Sequence, residues 1–224
     1  MQNVQKVQTV YDKIAVEWNE YKQVPLPAFQ LLLKYGRDGG SDGVCLDAGT
    51  GNGRHLPLLS KKYKEVYAID NSAKLLEIAK QNHPQLSNVH FQFADIVKMP
   101  FADNFFDDVY VVAVLHHLTD QKAALAFKEI HRVLKPGELF IASVWNKHQP
   151  RFDKVNGNEA DVPWKLKNGK IEQRFVHFFE KDDIERLAKE NNFEIVEIFY
   201  ELNGTKQTRK ENAGNLCFVL RKAQ

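Results

Sequence analysis

The stretch that decides the fold runs from Val44 to His55 and reads VCLDAGTGNGRH. Its first three residues are apolar and predict the end of a buried parallel strand, and the residues after the glycines predict the start of a helix. Three alternating glycines, Gly49, Gly51 and Gly53, fall at the turn between the two. Because glycine has no side chain, a ligand can approach the backbone closely there. The stretch therefore predicts a nucleotide-binding turn between a strand and a helix.

The spacing of these glycines distinguishes two kinds of nucleotide ligand. The dinucleotide fingerprint GxGxxG needs a glycine at position 54, where this chain has Arg54, so NAD is disfavoured. The pattern is DxGxGxG instead, with Asp47 at the end of the strand. A carboxylate there suits a ligand that carries an ammonium group, such as the methionine end of S-adenosylmethionine. A tight structural turn is the alternative explanation for the glycines.

Acidic residues also end the next two predicted strands. Asp70 closes the strand VYAID, where a carboxylate can accept both hydroxyls of a ribose, although capping of the next helix is an alternative role. Asp95 follows the strand Val89 to Phe93, where it can accept from an adenine amine while Ile96 packs on the ring. The predicted cofactor-binding residues are Asp47, Gly49, Gly51, Gly53, Asp70, Asn71, Asp95, Ile96, Val112 and Val114.

The order of the elements predicts an α/β fold. Helices and strands alternate regularly up to Trp145, which favours a doubly wound, Rossmann-like sheet with helices on both faces. We expect seven strands, mostly parallel, of which the last two (193–200 and 216–220) form a C-terminal antiparallel hairpin. The whole chain, 1–224, is predicted to be a single domain. Its parts are N-terminal helices at 1–40, a cofactor-binding core at 41–145, a substrate loop or lid at 146–173, and a C-terminal helix and hairpin at 174–224.

The composition argues against several functional classes. The 224 residues include 31 basic and 29 acidic side chains, a net charge of +2, so any contact with RNA must be local. Cys45 and Cys217 lie in apolar runs, which predicts buried free thiols in a reducing compartment. Histidine and cysteine spacings typical of a metal site are absent from the sequence, so we expect no metal. Without a membrane span or signal sequence, the expected location is cytoplasmic, with a nuclear fraction left open.

Five motifs together resemble those of the class I S-adenosylmethionine-dependent methyltransferases. They are LDAGTGNG, AID, FADI, VLHHL and LKPGELFI, the last at Leu134 to Ile141. The resemblance covers most of the chain. It implies the class I methyltransferase fold, S-adenosylmethionine as cofactor and S-adenosylhomocysteine as product.

Three further motifs resemble the tRNA wobble-uridine carboxymethyl methyltransferases. They are DVPW at 161–164, RFVHFF at 174–179 and ENAGNLCFVLRK at 211–222. This narrower resemblance implies methylation of the carboxylate of 5-carboxymethyluridine in tRNA to its methyl ester. It implies catalytic roles for His117, Arg174 and His177, and substrate binding by Trp145, Asp161, Trp164 and Asn215.

The implied chemistry requires positioning rather than a general base, since a carboxylate acceptor is already ionised at neutral pH. We expect Arg174 to anchor the carboxylate or a neighbouring phosphate, and His117 or His177 to donate one hydrogen bond to it. Trp145 or Trp164 is expected to stack on the unstacked base. Packing is the alternative role for each of these aromatic residues.

A partner protein is expected at the third predicted strand. In this fold the strand Val89 to Phe93 lies at the sheet edge, where Val89, Phe91 and Phe93 would present an apolar face beside unpaired backbone groups. Core packing under a helix is the alternative. The tRNA enzymes that the chain resembles work with a small zinc-binding activator of the Trm112 type, so such a protein is the implied partner beside tRNA.

Two alternative functions remain open from the sequence. A small-molecule O-, N- or C-methyltransferase would share all the core motifs and differ only in the lid and tail. A non-catalytic module with the methyltransferase fold is the other. The connection between Tyr200 and Leu216 is longer and more basic than in the tRNA enzymes, and Leu216 stands where those enzymes usually carry an aromatic residue.

Overall fold

The computed structural model describes residues 2–37 and 42–224, with side chains from residue 7 onward. The predicted boundary between residues 40 and 41 therefore lies outside the described residues. The helices are α1 (Gln2–Tyr21), α2 (Pro27–Leu32), α3 (Leu56–Lys62), α4 (Ala73–Asn82), α5 (Asp120–Val133) and α6 (Lys181–Glu190), with short 3-10 helices at Leu115–His117 and Pro150–Phe152. The strands are β1 (Val44–Ala48), β2 (Glu65–Asp70), β3 (Val89–Phe93), β4 (Phe106–Val112), β5 (Leu134–Trp145), β6 (Glu159–Lys165), β7 (Ile171–His177), β8 (Phe193–Leu202), β9 (Thr205–Gln207) and β10 (Asn215–Lys222).

The main sheet runs in the order β3-β2-β1-β4-β5-β10-β8-β9. Its first five strands are parallel to one another, and β10 pairs antiparallel with both β5 and β8. This confirms the predicted Rossmann-like, mostly parallel sheet and its C-terminal antiparallel hairpin. The strand order reverses between β1 and β4, because the chain returns from the β3 edge to the centre. In open α/β sheets, ligands bind at such a switch point, outside the carboxyl ends of the strands.

Helices cover both faces of the parallel strands, which is why β4 is buried along its whole length. On one face, Phe127 of α5 packs against Phe140 of β5, with ring centres 5.1 Å apart. On the other face, Phe29 of α2 lies in a second apolar cluster against the sheet. The side chains of Ser72 and Thr119 cap α4 and α5, each accepting from a backbone N–H of the first turn. These caps start each helix close to the carboxyl edge of the sheet.

The short strand β9 adds an eighth strand to the predicted seven. It pairs antiparallel with the end of β8 through a two-residue turn at Asn203 and Gly204, both of which have positive φ. Its three residues are polar and mostly exposed. A strand of this kind lacks the apolar alternation by which strands are predicted.

The segment predicted as a substrate loop or lid at 146–173 contains β6 and the start of β7, which form a β-hairpin, so the expectation of an irregular polar loop was wrong. Strands β6 and β7 pair antiparallel from Glu159 opposite His177 to Lys165 opposite Ile171. Along β6, exposed residues alternate with partly buried ones. Charged residues and a proline occupy the exposed positions, and their polarity concealed the alternation of a half-buried strand. The predicted boundary between residues 173 and 174 falls inside β7.

Strand β3 lies at the edge of the main sheet, as predicted, and pairs only with β2 among the described strands. Val89 and Phe91 belong to an apolar cluster of the core, whereas the Phe93 side chain is 56% exposed. The predicted apolar face is therefore divided between core packing and a single exposed ring. Separately, none of the helices within residues 2–37 and 42–224 has the length and apolar character to cross a membrane.

Candidate functional site

A cleft opens at the carboxyl edge of the sheet, above β1, β2 and β4. It is open to solvent at its mouth, and its lining combines apolar side chains with a few polar groups, as sites for small ligands do. Helix α1 covers one side of the cleft through Tyr11 and Trp18, and Lys22, directly after the helix, adds to this side. The residues predicted from sequence that line it are Gly49, Gly51, Asp70, Asn71, Ile96, Val112, Val114, His117, Trp145 and Asn215.

The three glycines of the turn serve different purposes. All three have positive φ, at 83°, 59° and 81° for Gly49, Gly51 and Gly53. A Cβ on Gly49 would collide with Val114, and a Cβ on Gly53 would lie 2.8 Å from the ring of His83. A Cβ on Gly51 would meet no protein atom within 4 Å. Only at Gly51, therefore, does the missing side chain leave free space in the cleft, while the other two glycines allow close packing.

Asp47 stands two residues before Gly49 of the cleft, outside the lining itself, and part of its carboxylate lacks a hydrogen-bond partner among the described residues. It is 1% exposed. Its Oδ2 and the hydroxyl of Thr50 are buried without a hydrogen-bond partner among the described residues. Burial, together with the charge of Asp70, raises the pKa of Asp47 to about 6. A cationic donor such as an ammonium group could donate hydrogen bonds to Asp47 Oδ2 and the Thr50 hydroxyl oxygen, and it would neutralise the charge of Asp47.

Asp70 is held by backbone donors at the end of β2. Its two carboxylate oxygens accept from the N–H groups of Gly51 and Ser72, each at 2.8 Å. Burial raises its pKa to about 6. The cap of α4 is Ser72, whose hydroxyl accepts from Leu75 N at 3.2 Å, so the alternative role of Asp70 as helix cap is excluded. Each oxygen of Asp70 keeps a further acceptor site for a ribose hydroxyl.

Two cations line the same cleft and were not predicted as ligand-binding residues. Lys22 directly follows α1 and Arg54 follows the glycine turn. Burial lowers the pKa of both groups, and for Lys22 the charge of Arg54 adds to the effect. Neither forms an ion pair with a carboxylate within the described part of the chain. Together with Asp47, they fit the two charged ends of a methionine group.

The apolar part of the cleft lies over β2 and β3. Ile69, Leu75, Ala94 and Ile96 line it, which suits the flat ring of an adenine. Asp95 is outside this lining, and its Oδ1 accepts from Val97 N at 3.1 Å. Ile96 therefore stands where the sequence analysis expected it, whereas the carboxylate of Asp95 stabilises its own turn.

His117 lies in the cleft with both ring nitrogens engaged. Its Nδ1 is 2.8 Å from the carbonyl oxygen of Phe175, and its Nε2 is 2.8 Å from the hydroxyl of Tyr11. Because a carbonyl only accepts, Nδ1 carries the proton and Nε2 accepts from Tyr11. Burial, with a contribution from the charge of Arg174, lowers the pKa of His117 to about 4. In this arrangement His117 has no free donor for a substrate, so the predicted donation requires the contact with Tyr11 to open.

Arg174 is a buried cation surrounded by tryptophans. It is 5% exposed, and its Nε has no hydrogen-bond partner among the described residues. The guanidinium carbon lies 5.9, 5.4 and 5.3 Å from the ring centres of Trp18, Trp145 and Trp164. No carboxylate within residues 7–37 and 42–224 forms an ion pair with it. An anionic group of a ligand would supply the missing counter-charge.

The remaining predicted residues are not brought together. His177 and Arg174 are three positions apart on β7 and face opposite sides of the hairpin. The His177 ring instead contacts Phe179, with ring centres 4.6 Å apart. Asp161 is exposed on the outer face of β6, whereas Trp164 lies on the inner face near Arg174. The predicted catalytic and substrate-binding set therefore divides between two faces.

The ends of β5 and β10 bring Trp145 and Asn215 to the cleft side by side. The His116 ring stacks on Trp145 with centres 4.5 Å apart, and the Arg151 guanidinium lies 4.4 Å from the same ring. The His116 ring and the Arg151 guanidinium therefore already lie against the Trp145 ring, on which the sequence analysis expected a base to stack. The amide of Asn215 donates to Glu201 Oε2 at 2.7 Å.

Comparison with known proteins agrees with this geometry. A family model described as a methyltransferase domain matches residues 46–142. A tRNA (carboxymethyluridine(34)-5-O)-methyltransferase of Schizosaccharomyces pombe is 30% identical over 221 residues, which cover 87% of this chain and 91% of the relative. A demethylmenaquinone methyltransferase of Staphylococcus haemolyticus is 35% identical over 174 residues, covering 69% of this chain and 70% of the relative.

Solved structures share the fold at lower sequence identity. An S-adenosylmethionine-dependent methyltransferase from Clostridium acetobutylicum superimposes with a TM-score of 0.75 at 16% identity, covering 96% of this chain and 99% of that one. The methyltransferase in a complex with the Haloferax volcanii Trm112 activator gives 0.73 at 16% identity, covering 97% and 98%. The cleft, lined by Lys22 and Arg54 and adjoining the buried Asp47, fits S-adenosylmethionine as the cofactor. The chain therefore belongs to the class I S-adenosylmethionine-dependent methyltransferases, and its relatives within that family include the tRNA carboxymethyluridine methyltransferases.

Proposed function

We propose that this methyltransferase methylates the carboxylate of 5-carboxymethyluridine at the wobble position of tRNA, giving the methyl ester. The observation that carries the proposal is Arg174, a buried guanidinium beside the cleft without an ion-pair partner among the described residues. A buried charge of this kind is costly unless a ligand neutralises it. A bidentate pair with a carboxylate is the arrangement that a guanidinium forms best.

The charges around the cleft also favour an anionic acceptor. Lys22, Arg54, Arg151 and Arg174 lie close enough together that the charges of the three arginines, in addition to burial, lower the pKa of Lys22. The carboxylate at the methionine end of the cofactor would pair with Lys22 and Arg54. Arg151 and Arg174 then remain for the acceptor, on the side of the cleft formed by Trp145.

A quinone-type acceptor is the second candidate, favoured by the similarity to the demethylmenaquinone enzyme. A quinone is a flat, largely apolar ring, and it would leave the guanidinium of Arg174 unpaired beside it. Since an unpaired buried cation is unfavourable, the site suits a carboxylate better than a quinone. The two candidates differ in whether the acceptor must carry a negative charge.

The residues would act mainly by positioning. When bound, S-adenosylmethionine would supply an electrophilic methyl group for in-line transfer to the acceptor carboxylate, with S-adenosylhomocysteine as the leaving group. Asp47, Asp70, Lys22 and Arg54 would hold the cofactor. Arg174 would orient the carboxylate, and the Tyr11 and His117 pair would fix the wall beside it. Closure by α1 excludes water, which favours a step in which opposite charges are neutralised.

The test is transfer of tritium from labelled S-adenosylmethionine to bulk tRNA that lacks wobble-uridine esters, followed by digestion and identification of the labelled nucleoside. We expect label in a base-labile uridine ester. Arg174→Gln is expected to lose this activity by about a hundredfold or more, because the carboxylate loses a charged, bidentate partner. Gln173→Ala, an exposed neighbour on the same strand, serves as the control for folding. Label in a quinone but not in RNA would favour the second candidate.

We further propose that a Trm112-type activator binds along β3. The outer edge of this strand is free among the described residues, and Phe93 stands exposed at its end. An edge of this kind accepts a strand from a partner through backbone hydrogen bonds. The similarity of the fold to a methyltransferase solved with such an activator supports the proposal.

Coexpression tests the partner. We expect the pair to copurify and to methylate tRNA faster than the chain alone. Phe93→Glu should weaken the complex, and because Phe93 pairs with Asp70 and precedes Ala94 of the cleft lining, S-adenosylmethionine binding by the variant is measured alongside as the control. Full activity of the chain alone, unaltered by the activator, would contradict this part of the proposal.

A further inference from the structure

Two segments with an excess of basic residues lie outside the parallel core of the fold. One, at 147–154, follows β5, and the other, at 208–214, joins β9 to β10. Together they carry five basic and two acidic residues, which are Lys147, Arg151, Lys154, Arg209 and Lys210 against Asp153 and Glu211. This excess of positive charge is larger than that of the whole chain, whose net charge is +2. Positive charge is therefore concentrated in these two segments.

Hydrogen bonds hold the two segments against each other. The buried side-chain amide of Asn146 donates to the carbonyl oxygens of Lys210 and Ala213, at 2.6 and 2.9 Å. In the opposite direction, the N–H of Asn212 donates to His148 O at 3.0 Å. Lys210 takes part through its carbonyl oxygen, which leaves its ammonium group out of these contacts. The cations of both segments therefore belong to one surface, which we call the basic surface.

The five cations of the basic surface are available to an anionic partner. All five are exposed or half-buried, and none of them forms an ion pair with a carboxylate within residues 7–37 and 42–224. A second group of basic residues, at the tip of the β6-β7 hairpin, differs in this respect. There Lys167 pairs with Glu20 of α1, and Lys170 pairs with Glu172 at 2.9 Å. Of the two groups, the basic surface is therefore the one whose charge the protein leaves uncompensated.

Arg151 joins the basic surface to the cleft. Its guanidinium carbon lies 4.4 Å from the ring centres of both Trp145 and Phe152. Trp145 lines the cleft, and Phe152 is buried in an apolar cluster with Val176 of β7. The short helix that carries Arg151 is therefore anchored to the hairpin, and the basic surface begins at the mouth of the cleft on the side of Trp145.

We infer that the basic surface binds the RNA phosphates that flank the wobble nucleotide, so that the anticodon loop docks on it while the modified base enters the cleft. The inference rests on the proposed tRNA substrate. Contacts of lysine and arginine with phosphates supply sequence-independent affinity, and they fix the position of a nucleic acid without reading its bases. The basic surface would thereby favour an acceptor carried by RNA over the free nucleoside, which has no phosphate.

The experiment measures binding of an anticodon stem-loop RNA that carries 5-carboxymethyluridine at the wobble position, over a range of salt concentrations. In Arg209→Glu/Lys210→Glu, we expect the Kd of the RNA to rise about tenfold or more at low salt. The slope of log Kd against log salt concentration should fall by about 1 to 2, because contacts with phosphates are lost. The Kd of S-adenosylmethionine and the kcat at saturating RNA should not change. A purely structural role of these side chains would not alter the salt dependence.

Lys61→Glu/Lys64→Glu is the matched control, with the same change of net charge. Both lysines are exposed and lie at the end of α3, next to the start of β2 and so at the edge of the sheet opposite the cleft. The control should change the Kd of the RNA by less than about twofold. An unchanged Kd in Arg209→Glu/Lys210→Glu, or an equal rise in the control, would overturn the inference. Failure of the wobble-uridine proposal would be seen separately, as the absence of a methyl ester in RNA treated with the unaltered protein.

Discussion

At the scale of single residues, the group beside the cleft that most invites a cationic ligand is a carboxylate whose ionised form is disfavoured by burial. Asp47 is almost completely buried, and its Oδ2 is unpartnered in the described structure. The protein thus carries an unfavourable group that a sulfonium cofactor with an ammonium end would neutralise. Strain at a functional site of this kind is offset by the packing around it.

The first prediction concerns the pH dependence of cofactor binding. Asp47 and Asp70 both have pKa values raised to about 6, whereas an α-ammonium group stays charged up to about pH 7.7 or above. Affinity for S-adenosylmethionine should therefore fall as the pH is lowered from 7 to 5, by up to about tenfold per pH unit. Titration calorimetry at each pH measures it. A Kd that stays constant over this range would contradict the ionised state of both acids in the complex.

The second prediction concerns the stability of Asp47→Asn. A carboxyl with a raised pKa favours the folded state at low pH, and this contribution is lost as the pH rises through about 6. The amide has no charge to bury, so the variant should be more stable than the unaltered protein at pH 7, by roughly 1–3 kcal/mol. Near pH 4 the difference should vanish. Denaturant unfolding at the two pH values checks this, and S-adenosylmethionine binding should be lost in the variant.

The third prediction separates two glycines of the turn. Gly51→Ala places a methyl in open cleft space, and Gly53→Ala places one 2.8 Å from the His83 ring. Both substitutions should lower the free energy of unfolding by about 1 kcal/mol, because alanine is strained at positive φ. Only Gly53→Ala adds a steric clash with protein. We expect Gly51→Ala to lose cofactor binding at modest cost in Tm, and Gly53→Ala to lose the larger share of stability. Equal thermal shifts in the two variants would be inconsistent with this division.

At the scale of elements, the β6-β7 hairpin decides which of the predicted substrate residues can act together. In a strand, residues an odd number of positions apart point to opposite faces. Arg174 therefore faces the tryptophan cluster, and His177 faces Glu159 and Phe179. The motif RFVHFF groups both residues in sequence, but the pleat of the strand separates them.

The fourth prediction follows from this alternation. Arg174→Gln should reduce turnover of tRNA far more than His177→Gln, which we expect to change it by less than about threefold, because the His177 ring packs on the face of the hairpin opposite Arg174. Steady-state methyl transfer with both variants, after a check of Tm, makes the comparison. Comparable losses from the two would require a rearrangement of the hairpin on substrate binding.

At the scale of the whole molecule, all three tryptophans of the chain contact one guanidinium. Trp18 comes from α1, Trp145 from β5 and Trp164 from β6, and Arg174 lies within 6 Å of each ring centre. Elements distant in sequence therefore meet at one point beside the cleft. Tryptophan fluorescence, excited selectively at about 295 nm, therefore reports on this cluster.

The fifth prediction uses that property. Binding of 5-carboxymethyluridine in the presence of S-adenosylhomocysteine should change the tryptophan emission, because the carboxylate draws Arg174 away from the rings. Uridine, which lacks the carboxylate, is the matched control and should give little change. Equal responses to both nucleosides would count against a carboxylate site at Arg174.

The fold was predictable because its main elements follow from patterns within short stretches of the sequence. Apolar strands that end in acids or glycines, separated by amphipathic helices, predict a parallel sheet and its binding edge, and these elements were found. β9 and the β6-β7 hairpin were missed because their exposed polar residues hide the alternation of a strand. The role of α1 was missed for a different reason. Its contacts with the cleft join Tyr11 to His117, which lies 106 positions further along the chain.

By itself, the sequence determined the class of fold, the cofactor and the edge of the sheet that binds it, since each depends on neighbours within a few residues. Only the tertiary structure decided which groups each side chain of the site contacts. It leaves Asp47 Oδ2 without a hydrogen bond among the described residues, and it pairs the Asp95 carboxylate with Val97 N of its own turn. It also engages both ring nitrogens of His117 and places Arg174 among three tryptophans. The physical reason is that burial, hydrogen-bond pairing and the direction of a side chain depend on groups from distant elements. These properties therefore cannot be predicted from the neighbouring residues in the sequence.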